Sequence, residues 1–509
     1  MRSCSALALL LLTANFSYAA SPVLPLEMIS RNALGQQTGG RTFLNSISSQ
    51  GTKVAFSLDD RNFFNEPPPP PPEATGGAFA PKYGQVALWK RGVGPVPLIQ
   101  FSDGYGPTSF LFNGFLSNAG HVKLSDISNR ICFPVIDGDV VLGIRLFSQS
   151  PGVGGGKTFC TNDAGPPYQY LLGLNALPAG GAVFGGENFD YLFTFGKQPN
   201  GPSFSAQLKD RQTGQILDSQ ILVGSDGHFA ASLSGVSNVS ENGRWILFQS
   251  DDNTLVPGDT GASFGGIPNG GADFFIRDRS LRTTRRLLRP SGGELLGYLN
   301  REYAFSSNGR FLVFSSTGDV VEPCLTNYNG PPSQGLSPVP IFVHDFQTNS
   351  TECISLTQSG QAFGNAYASE DNRVSISGDG RFVAYVTHVA ADANDTNNKS
   401  DIYLRDRKLN RTIWVSQAAN GAPGNSRAES PLLSKDGRWL AFVSYASNLV
   451  PNDTNLPPFG NPNFQGGDIF LRDLSALSVE PVQVPVGSNW AWALLSLGLL
   501  GFGMRGRDF

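Results

Sequence analysis

The sequence predicts an all-β fold, and three observations lead to this class. Gly and Pro account for 60 and 35 of the 509 residues, and both residue types mark turns and interrupt helices. Phe, Tyr and Trp together make up 11% of the chain, and aromatic side chains favour strands. One pattern of turn and apolar strand also recurs along the second half of the chain. We therefore expect many short strands connected by turns.

The composition also limits the class of protein. Hydrophobic residues reach 40% and charged residues only 15%, which is typical of a folded chain with a large buried core. The formal net charge is −4 at pH 7. A near-neutral chain lacks the basic surface that binding to a phosphate backbone requires. We predict a globular protein with no nucleic acid partner.

The repeat begins with Ser, two further residues and Gly-Arg, and it continues as a five-residue apolar run. An Asn-Gly or Asp-Gly step between apolar runs supplies the positive φ of a tight turn, so each glycine is expected to join two strands. A second strand follows each copy and ends in an aspartate, which we expect to cap a turn through its side chain. The clear copies cover 240–250, 306–316, 377–387 and 434–444, with turn glycines Gly243, Gly309, Gly380 and Gly437 and strand-end aspartates Asp278, Asp345, Asp406 and Asp473.

The spacing of the copies predicts the architecture. The clear copies recur about every 65 residues, a period that repeated sheets produce. Weaker copies at 48–58, 125–135 and 186–195 bring the number of units to seven. Each unit has room for four strands, and radial repetition of four-stranded sheets makes a β-propeller. We predict a single β-propeller of seven four-stranded blades over residues 21–480.

The units resemble the TolB-type, WD40-like β-propeller repeat known as PD40. The resemblance rests on the Ser-x-Asp-Gly-Arg turn, the apolar strand after it, a stretch such as SNLVPNDTN at 447–455 and a strand such as DIFLRD at 468–473. It is clearest over 237–474 and weakens between 100 and 230, where the turn glycine is missing. It implies the same propeller fold.

The N-terminal segment 26–36 matches the segment 413–423, which holds the fourth strand of one unit and leads into the next. We therefore expect the N-terminus to supply the outer strand of the last blade, so that both ends of the chain close the ring. A competing interpretation gives this position to residues 477–484, for which the last unit has room.

Residues 1–20 have the features of a secretory signal peptide. One Arg precedes an apolar run, and small residues follow it, so we expect cleavage near Ala19 or Ala20. The apolar run is too short to span a bilayer. The protein is therefore expected to be exported.

Residues 481–509 form a Pro-containing linker, an uncharged apolar run from Trp490 to Met504, and a basic end. This tail resembles the PEP-CTERM and IPTL-CTERM class of bacterial C-terminal sorting signals. The resemblance implies a protein of a Gram-negative envelope that sorting machinery delivers to the outer surface or beyond, with the tail as a transient membrane anchor. The alternative is an ordinary hydrophobic helix packed on the domain.

The sequence holds no assembled catalytic motif, and we expect no cofactor. The segments 261–265 and 151–158 resemble a hydrolase elbow and a phosphate loop, but they lack the strand and helix that such motifs need. His344 stands where the other copies have Arg. The loop 391–401 is rich in the oxygen ligands that calcium prefers, although turns use the same residue types. The candidate calcium ligands are Asp392, Asn394, Asp395 and Asn397.

Four cysteines remain after the signal segment, and an exported protein permits disulfides. Four cysteines allow three connectivities. Cys160 and Cys353 fall at matching places in their units, and each has one cysteine nearby in sequence. We predict the pairs Cys132–Cys160 and Cys324–Cys353, each within one blade.

These features favour a monomeric, non-catalytic binding or scaffold protein of the envelope or cell surface, with a protein or glycan as its partner. The alternative is a carbohydrate-active enzyme that assembles its site from several blades around the central channel. A structural surface component without a specific ligand is a third hypothesis. Fold alone does not decide among them.

Overall fold

The computed structural model describes residues 21–58 without 33 and 39–41, then 63, 84–101, 123–124, 130–135, 140–141, 144–145, 157–162, 182–184, 191–197, 204–210, 213, 215–230, 235–250, 252–257, 273–287, 303–315, 324, 340–362, 374–454 and 466–478. Within these residues the regular structure is almost entirely β-strand. One compact unit ends at Leu474, and a second unit, from Ser475 to Phe509, contains the short helix α1 at Ser475–Ser478. No helix in the described part of the chain has the length and apolar character needed to cross a membrane.

The described strands form seven sheets, which we number in chain order, and every strand pair is antiparallel. The first three sheets contain β2 (Thr42–Ile47), β3 (Lys53–Leu58), β4 (Gly84–Lys90), β5 (Gly94–Phe101), β8 (Val140–Val141) and β9 (Ile144–Arg145); β6 (Lys123–Leu124), β7 (Arg130–Val135) and β10 (Lys157–Asn162); and β11 (Ala182–Phe184), β12 (Tyr191–Lys197), β13 (Phe204–Asp210) and β14 (Ile216–Asp218).

The last four sheets each have four strands. They contain β15 (Gly235–Val239), β16 (Trp245–Ser250), β17 (Asp273–Asp278) and β18 (Thr283–Arg286); β19 (Tyr303–Phe305), β20 (Phe311–Ser315), β21 (Ile341–Asp345) and β22 (Ser350–Cys353); β23 (Ser375–Ile376), β24 (Phe382–Thr387), β25 (Asp401–Asp406) and β26 (Arg411–Trp414); and β27 (Ala428–Leu433), β28 (Trp439–Ser444), β29 (Asp468–Asp473) and β1 (Leu26–Met28).

Two sheets differ from the predicted four strands. The first sheet has six strands, because β8 joins β5 where Gln100 pairs with Val140. The second sheet has three strands among the described residues. In the second unit the sequence reads Ser-Asn-Arg at 128–130 in place of the Gly-Arg step. Strands β6 and β7 nevertheless pair, with Leu124 opposite Ile131, so the position without a described strand is the outer one beside β10.

The turns at 48–52, 240–244, 306–310, 377–381 and 434–438, called the Gly-Arg turns below, share one geometry. Their glycines have φ between 65° and 78°, which confirms the prediction of positive φ. In the fourth sheet the Gly243 N–H donates to the Ser240 carbonyl at 2.8 Å, and the Trp245 N–H donates to Ser240 Oγ at 2.9 Å. The serine therefore closes the turn and also caps the strand that follows it.

In the fourth, fifth and sixth sheets the arginine of the Gly-Arg turn reaches across the sheet to the strand-end aspartate, whereas Thr52 takes this position in the first sheet. Arg381 Nε and Nη2 donate to the two oxygens of Asp406 at 3.0 and 2.9 Å, and Asp406 is buried. Arg310 makes the same paired bonds to Asp345 at 2.9 and 2.6 Å and holds the pKa of that carboxyl well below its usual range. Such planar, paired bonds between Arg and a carboxylate are strong and directional.

The strand-end aspartates also cap turns, as the sequence predicts. Asp278 Oδ1 accepts the Ser280 N–H at 2.9 Å. Asp345 Oδ1 accepts the Gln347 N–H at 2.8 Å. One carboxylate thus orders the hairpin between the third and fourth strands and anchors the arginine of the first hairpin.

The apolar core lies between neighbouring sheets. One cluster joins residues of the fifth sheet, such as Val313, to residues of the sixth sheet, such as Tyr385 and Trp414. The aromatic residue after each Gly-Arg step packs on the next sheet. Trp245 stacks on Phe346 with ring centroids 4.2 Å apart, and Arg407 lies 4.4 Å above the ring of Phe311.

The seventh and first sheets make the same contacts as consecutive sheets. Arg91 lies 3.7 Å above the ring of Trp439, as Arg407 lies above Phe311. A Cβ at Gly51 would overlap the side chain of Trp439, as a Cβ at Gly380 would overlap Phe311. One buried apolar cluster also joins strands β3 and β4 to β28 and β29.

The N-terminal strand occupies the outer position of the seventh sheet, as the sequence predicts. Strand β1 pairs with β29, with Leu26 opposite Arg472. Ser30 Oγ donates to Asp468 Oδ1 at 2.6 Å, which repeats the bond from Ser416 to Asp401 in the sixth sheet. The buried Arg472 guanidinium donates to the backbone carbonyls of Leu24, Val415 and Gln417. These bonds connect the start of the described chain to its sixth and seventh sheets.

We predict that deletion of residues 21–36 lowers the melting temperature sharply, because it removes a strand and exposes the buried Arg472 and Asp468. Differential scanning calorimetry of the deleted chain and of a chain that begins at Ser21 tests this. Equal melting temperatures would show that the N-terminal strand does not stabilise the seventh sheet.

We predict that Arg381→Ala costs about 3 kcal/mol, because it leaves the buried Asp406 without its paired donor. The matched variant Arg438→Ala should cost about 1 kcal/mol or less, since Arg438 Nε lies 4.0 Å from Asp473 and its side chain is 55% exposed. Urea unfolding of both variants measures the difference. Similar losses would contradict the assigned role of the buried carboxylate.

Candidate functional site

The antiparallel order gives each four-stranded sheet two different ends. The Gly-Arg turns and the hairpins between third and fourth strands lie at one end, which we call the turn end. The connections between second and third strands lie at the opposite end, which we call the loop end. The polar groups at the two ends differ in their hydrogen-bond partners within the protein.

The Gly-Arg turns bond to one another at the turn end. The Gly378 N–H donates to the Lys435 carbonyl at 2.7 Å, and the Asp436 N–H donates to the Ser49 carbonyl at 3.1 Å. Lys435 Nζ also lies 2.7 Å from Glu241 Oε1, and these residues occupy the same position in the turns of the seventh and fourth sheets. The polar groups of the turns are therefore used to join sheets.

In five sheets the longest connection between strands lies at the loop end. It joins the second and third strands and covers 59–83, 251–272, 316–340, 388–400 or 445–467, whereas each Gly-Arg turn spans five residues. The motifs at 151–158 and 261–265 lie almost wholly outside the described residues. Loops that vary in length on a regular scaffold are the usual position of binding residues.

The candidate calcium ligands lie at the loop end of the sixth sheet, where protein groups bond to them. Asp392 Oδ2 accepts the Ser21 hydroxyl at 2.6 Å, and Asp392 Oδ1 accepts the Asn394 N–H at 2.9 Å. Asp395 Oδ2 accepts the Tyr403 hydroxyl at 2.6 Å. Asn397 Nδ2 donates to Asp401 and to the Gly424 carbonyl. Within the described residues, no three His, Cys, Asp or Glu side chains are grouped to hold a metal.

Buried carboxyl groups at the loop end have raised pKa values. Burial, together with the nearby Asp401 and Asp392, raises the pKa of Asp395 to about 6. Burial raises the pKa of Asp468 to about 7, although the hydrogen bond from Ser30 lowers it. The partners of Asp395 and Asp468 are structural groups of the sixth and seventh sheets. These shifts therefore have a cause in packing and do not identify a catalytic pair.

A polar constellation that the sequence analysis missed joins two loops at the loop end. His228 Nδ1 contacts Asp226 Oδ1, and His228 Nε2 lies 3.0 Å from Thr254 Oγ1. The order of groups is that of a nucleophile triad. However, the Thr254 hydroxyl donates its proton to Asp252 Oδ1 at 2.6 Å, so this proton points away from His228. The arrangement links loops and does not activate Thr254.

His344 is a buried structural residue in the arginine position of the fifth sheet. Its Nδ1 lies 2.9 Å from Thr351 Oγ1. The equivalent bond in the sixth sheet joins Arg405 Nη1 to Thr412 Oγ1 at 3.1 Å. Burial lowers the pKa of His344 to about 4, so the ring is neutral near pH 7. The repeat position thus keeps its hydrogen bond with a different donor.

The structure contains the disulfide between Cys324 and Cys353 that the sequence predicts. Cys132 and Cys160 lie opposite each other in the register of β7 and β10, and their side chains lie outside the described residues. The pairing Cys132–Cys160 stays a prediction.

We predict that Asp468→Asn stabilises the fold more at pH 8 than at pH 5. The folded pKa of about 7 lies above the value of the unfolded chain, so Asp468 lowers stability as pH rises from about 4 to 7. The gain at pH 8 should reach at most about 4 kcal/mol. Urea unfolding of both proteins at several pH values measures it, and a difference that does not change with pH would contradict the assignment.

No protein-family model matches the sequence, and no curated protein is significantly similar to it. Solved structures are similar at low identity. TolB from Acinetobacter baumannii is 12% identical over 77% of this chain and 76% of that chain, with a TM-score of 0.33. An oligogalacturonate lyase in complex with manganese is 11% identical over 90% and 98%, with a TM-score of 0.40. The β-propeller domain of the Trilobed protease from Pyrococcus furiosus is 10% identical over 85% and 94%, with a TM-score of 0.44.

Proposed function

We propose that the protein is an exported β-propeller of seven blades that acts as a non-catalytic binding or scaffold module for a protein or glycan. Each of the seven sheets forms one blade, and the ring closes between the first and seventh sheets. The contacts of Trp439 with Arg91 and Gly51 support this closure, because consecutive sheets make the same contacts.

The observation that carries the proposed function is the position of the long connections. In the first, fourth, fifth, sixth and seventh sheets the longest connection leaves the sheet at the loop end, while the Gly-Arg turns at the turn end bond to one another. A rigid scaffold with variable loops on one face suits recognition, because the scaffold lowers the entropy cost of holding those loops. The loop end is therefore the proposed binding face.

The signal-like segment 1–20 and the tail 481–509 support export to the envelope, outer surface or medium. The Cys324–Cys353 disulfide also supports export, since disulfides persist in oxidising compartments. The tail would engage sorting machinery before or during delivery, and the propeller would be a monomer.

A matched pair of charge reversals tests the binding face. Lys399 is exposed at the loop end and Lys408 is exposed at the turn end. Binding of the purified protein to a glycan array and to purified envelope proteins should identify a partner. Lys399→Glu should then weaken that interaction about tenfold, and Lys408→Glu should leave it unchanged.

The reverse pattern would place the binding face at the turn end. Mass spectrometry of any glycan partner after incubation tests the alternative function. Intact glycan agrees with a non-catalytic module, and shortened products would indicate the carbohydrate-active enzyme.

A further inference from the structure

Ser21 is hydrogen-bonded to residues of the sixth sheet, although that sheet lies far from Ser21 in the sequence. Its side chain is buried, and its Oγ donates to Asp392 Oδ2 at 2.6 Å. Ser21 Oγ also accepts a hydrogen bond from the Trp414 N–H at 2.9 Å. The next residue is held as well, because Gln417 Nε2 donates to the Pro22 carbonyl at 2.9 Å. The chain therefore has a fixed position at Ser21, before strand β1 begins.

The backbone nitrogen of Ser21 points to the same carboxylate. It lies 3.3 Å from Asp392 Oδ2, the oxygen that the Ser21 hydroxyl also binds. In the uncut chain this nitrogen is a neutral amide. Ala19 and Ala20, the small residues that mark the expected cleavage region, come directly before it.

The surroundings of Asp392 carry negative charge. Asp392, Asp395 and Asp401 are 6%, 9% and 1% exposed. The ion pairs found among the described residues include none with these three side chains. Neutral donors bond to each carboxylate, but the charges of Asp392 and Asp401 still raise the pKa of Asp395, which shows that the carboxylates repel one another. A positive charge beside Asp392 would therefore stabilise the whole group.

We propose that cleavage of the Ala20–Ser21 peptide bond creates the missing cation, and that the new α-ammonium group of Ser21 forms a buried ion pair with Asp392. Water adds across the bond in a reaction that a signal peptidase catalyses. Ala20 leaves with the new carboxylate, and the Ser21 nitrogen takes up protons to become the ammonium group. The proposal rests on the export that the proposed function includes.

The geometry selects one cleavage position. A cut one residue earlier would leave Ser21 as an amide and place the charge on Ala20, about 3.8 Å further along the chain. Only Ser21 brings both its nitrogen and its hydroxyl to Asp392. The ion pair lies five residues before β1, so removal of the signal segment would tighten the N-terminal strand on the seventh sheet.

Two chains that differ by one residue test the ion pair. A removable fusion partner gives proteins that begin at Ser21 or at Ala20. The Ser21 chain should melt about 3 °C or more above the Ala20 chain. Asp392→Asn should abolish this difference, while Ser21→Ala, which keeps the α-amino group, should preserve it. Equal melting temperatures of the two starting chains, or a difference that survives Asp392→Asn, would overturn the ion pair.

Labelling of the α-amino group gives a second measurement that does not depend on stability. An amine-selective acylating reagent should modify the N-terminus of the Ser21 chain about tenfold more slowly than that of its Asp392→Asn variant, because the ion pair holds the nitrogen protonated and buried. Equal rates would contradict the pairing.

The N-terminus of the native protein separates the cleavage from the export. Mass spectrometry of protein from its own cells should find Ser21 as the first residue. An exported protein that begins elsewhere would contradict the cleavage position, although the proposed function would stand. A native protein that retains residues 1–20 inside the cell would contradict the proposed function and the cleavage together.

Discussion

The hydrogen-bonded pairing of β1 with β29 is the contact on which the arrangement of the sheets depends. Consecutive sheets are tied by the chain that runs between them, but the first and seventh sheets have no such link. Strand β1 supplies it, since the chain then passes from the seventh sheet directly into β2 of the first. Arg472 reinforces the link by donating to the Leu24 carbonyl from a fully buried position.

The same local chemistry repeats in the fourth, fifth and sixth sheets and explains why one short motif suffices there. A serine closes the Gly-Arg turn, the glycine provides positive φ, and the arginine reaches the strand-end aspartate, as in the group Ser377, Gly380 and Arg381. The aromatic residue after the arginine then packs on the neighbouring sheet. Each motif therefore specifies a hairpin, a strand pair and a contact between sheets.

The sequence predicts those parts of the fold that depend on local geometry. Gly243, Gly309, Gly380 and Gly437 are predictable because positive φ strongly favours glycine. The outer position of β1 is predictable because Ser30 repeats Ser416. The pairing of Arg381 with Asp406 was missed, since the two residues belong to separate turn signals and only the register of the sheet brings them together.

The candidate site was less predictable for the same reason. The acidic loop 391–401 has the composition of a calcium site, and its bonds to Ser21 and Tyr403 follow from long-range packing. The His228 constellation joins two loops from different parts of the chain, so no spacing in the sequence signals it. The aromatic contact of Trp439 with the first sheet likewise depends on how the ends of the chain meet.

Hydrogen–deuterium exchange of the intact protein tests the pairing of β1 with β29 most directly. The backbone amides of Ile29 and Asp473, which donate to the carbonyls of Ile469 and Pro25 across this pair, should exchange as slowly as those of β25, whose partners are fixed on both sides. Rapid exchange at β1 and on the facing side of β29, with β25 protected, would contradict the pairing of β1 with β29 in solution.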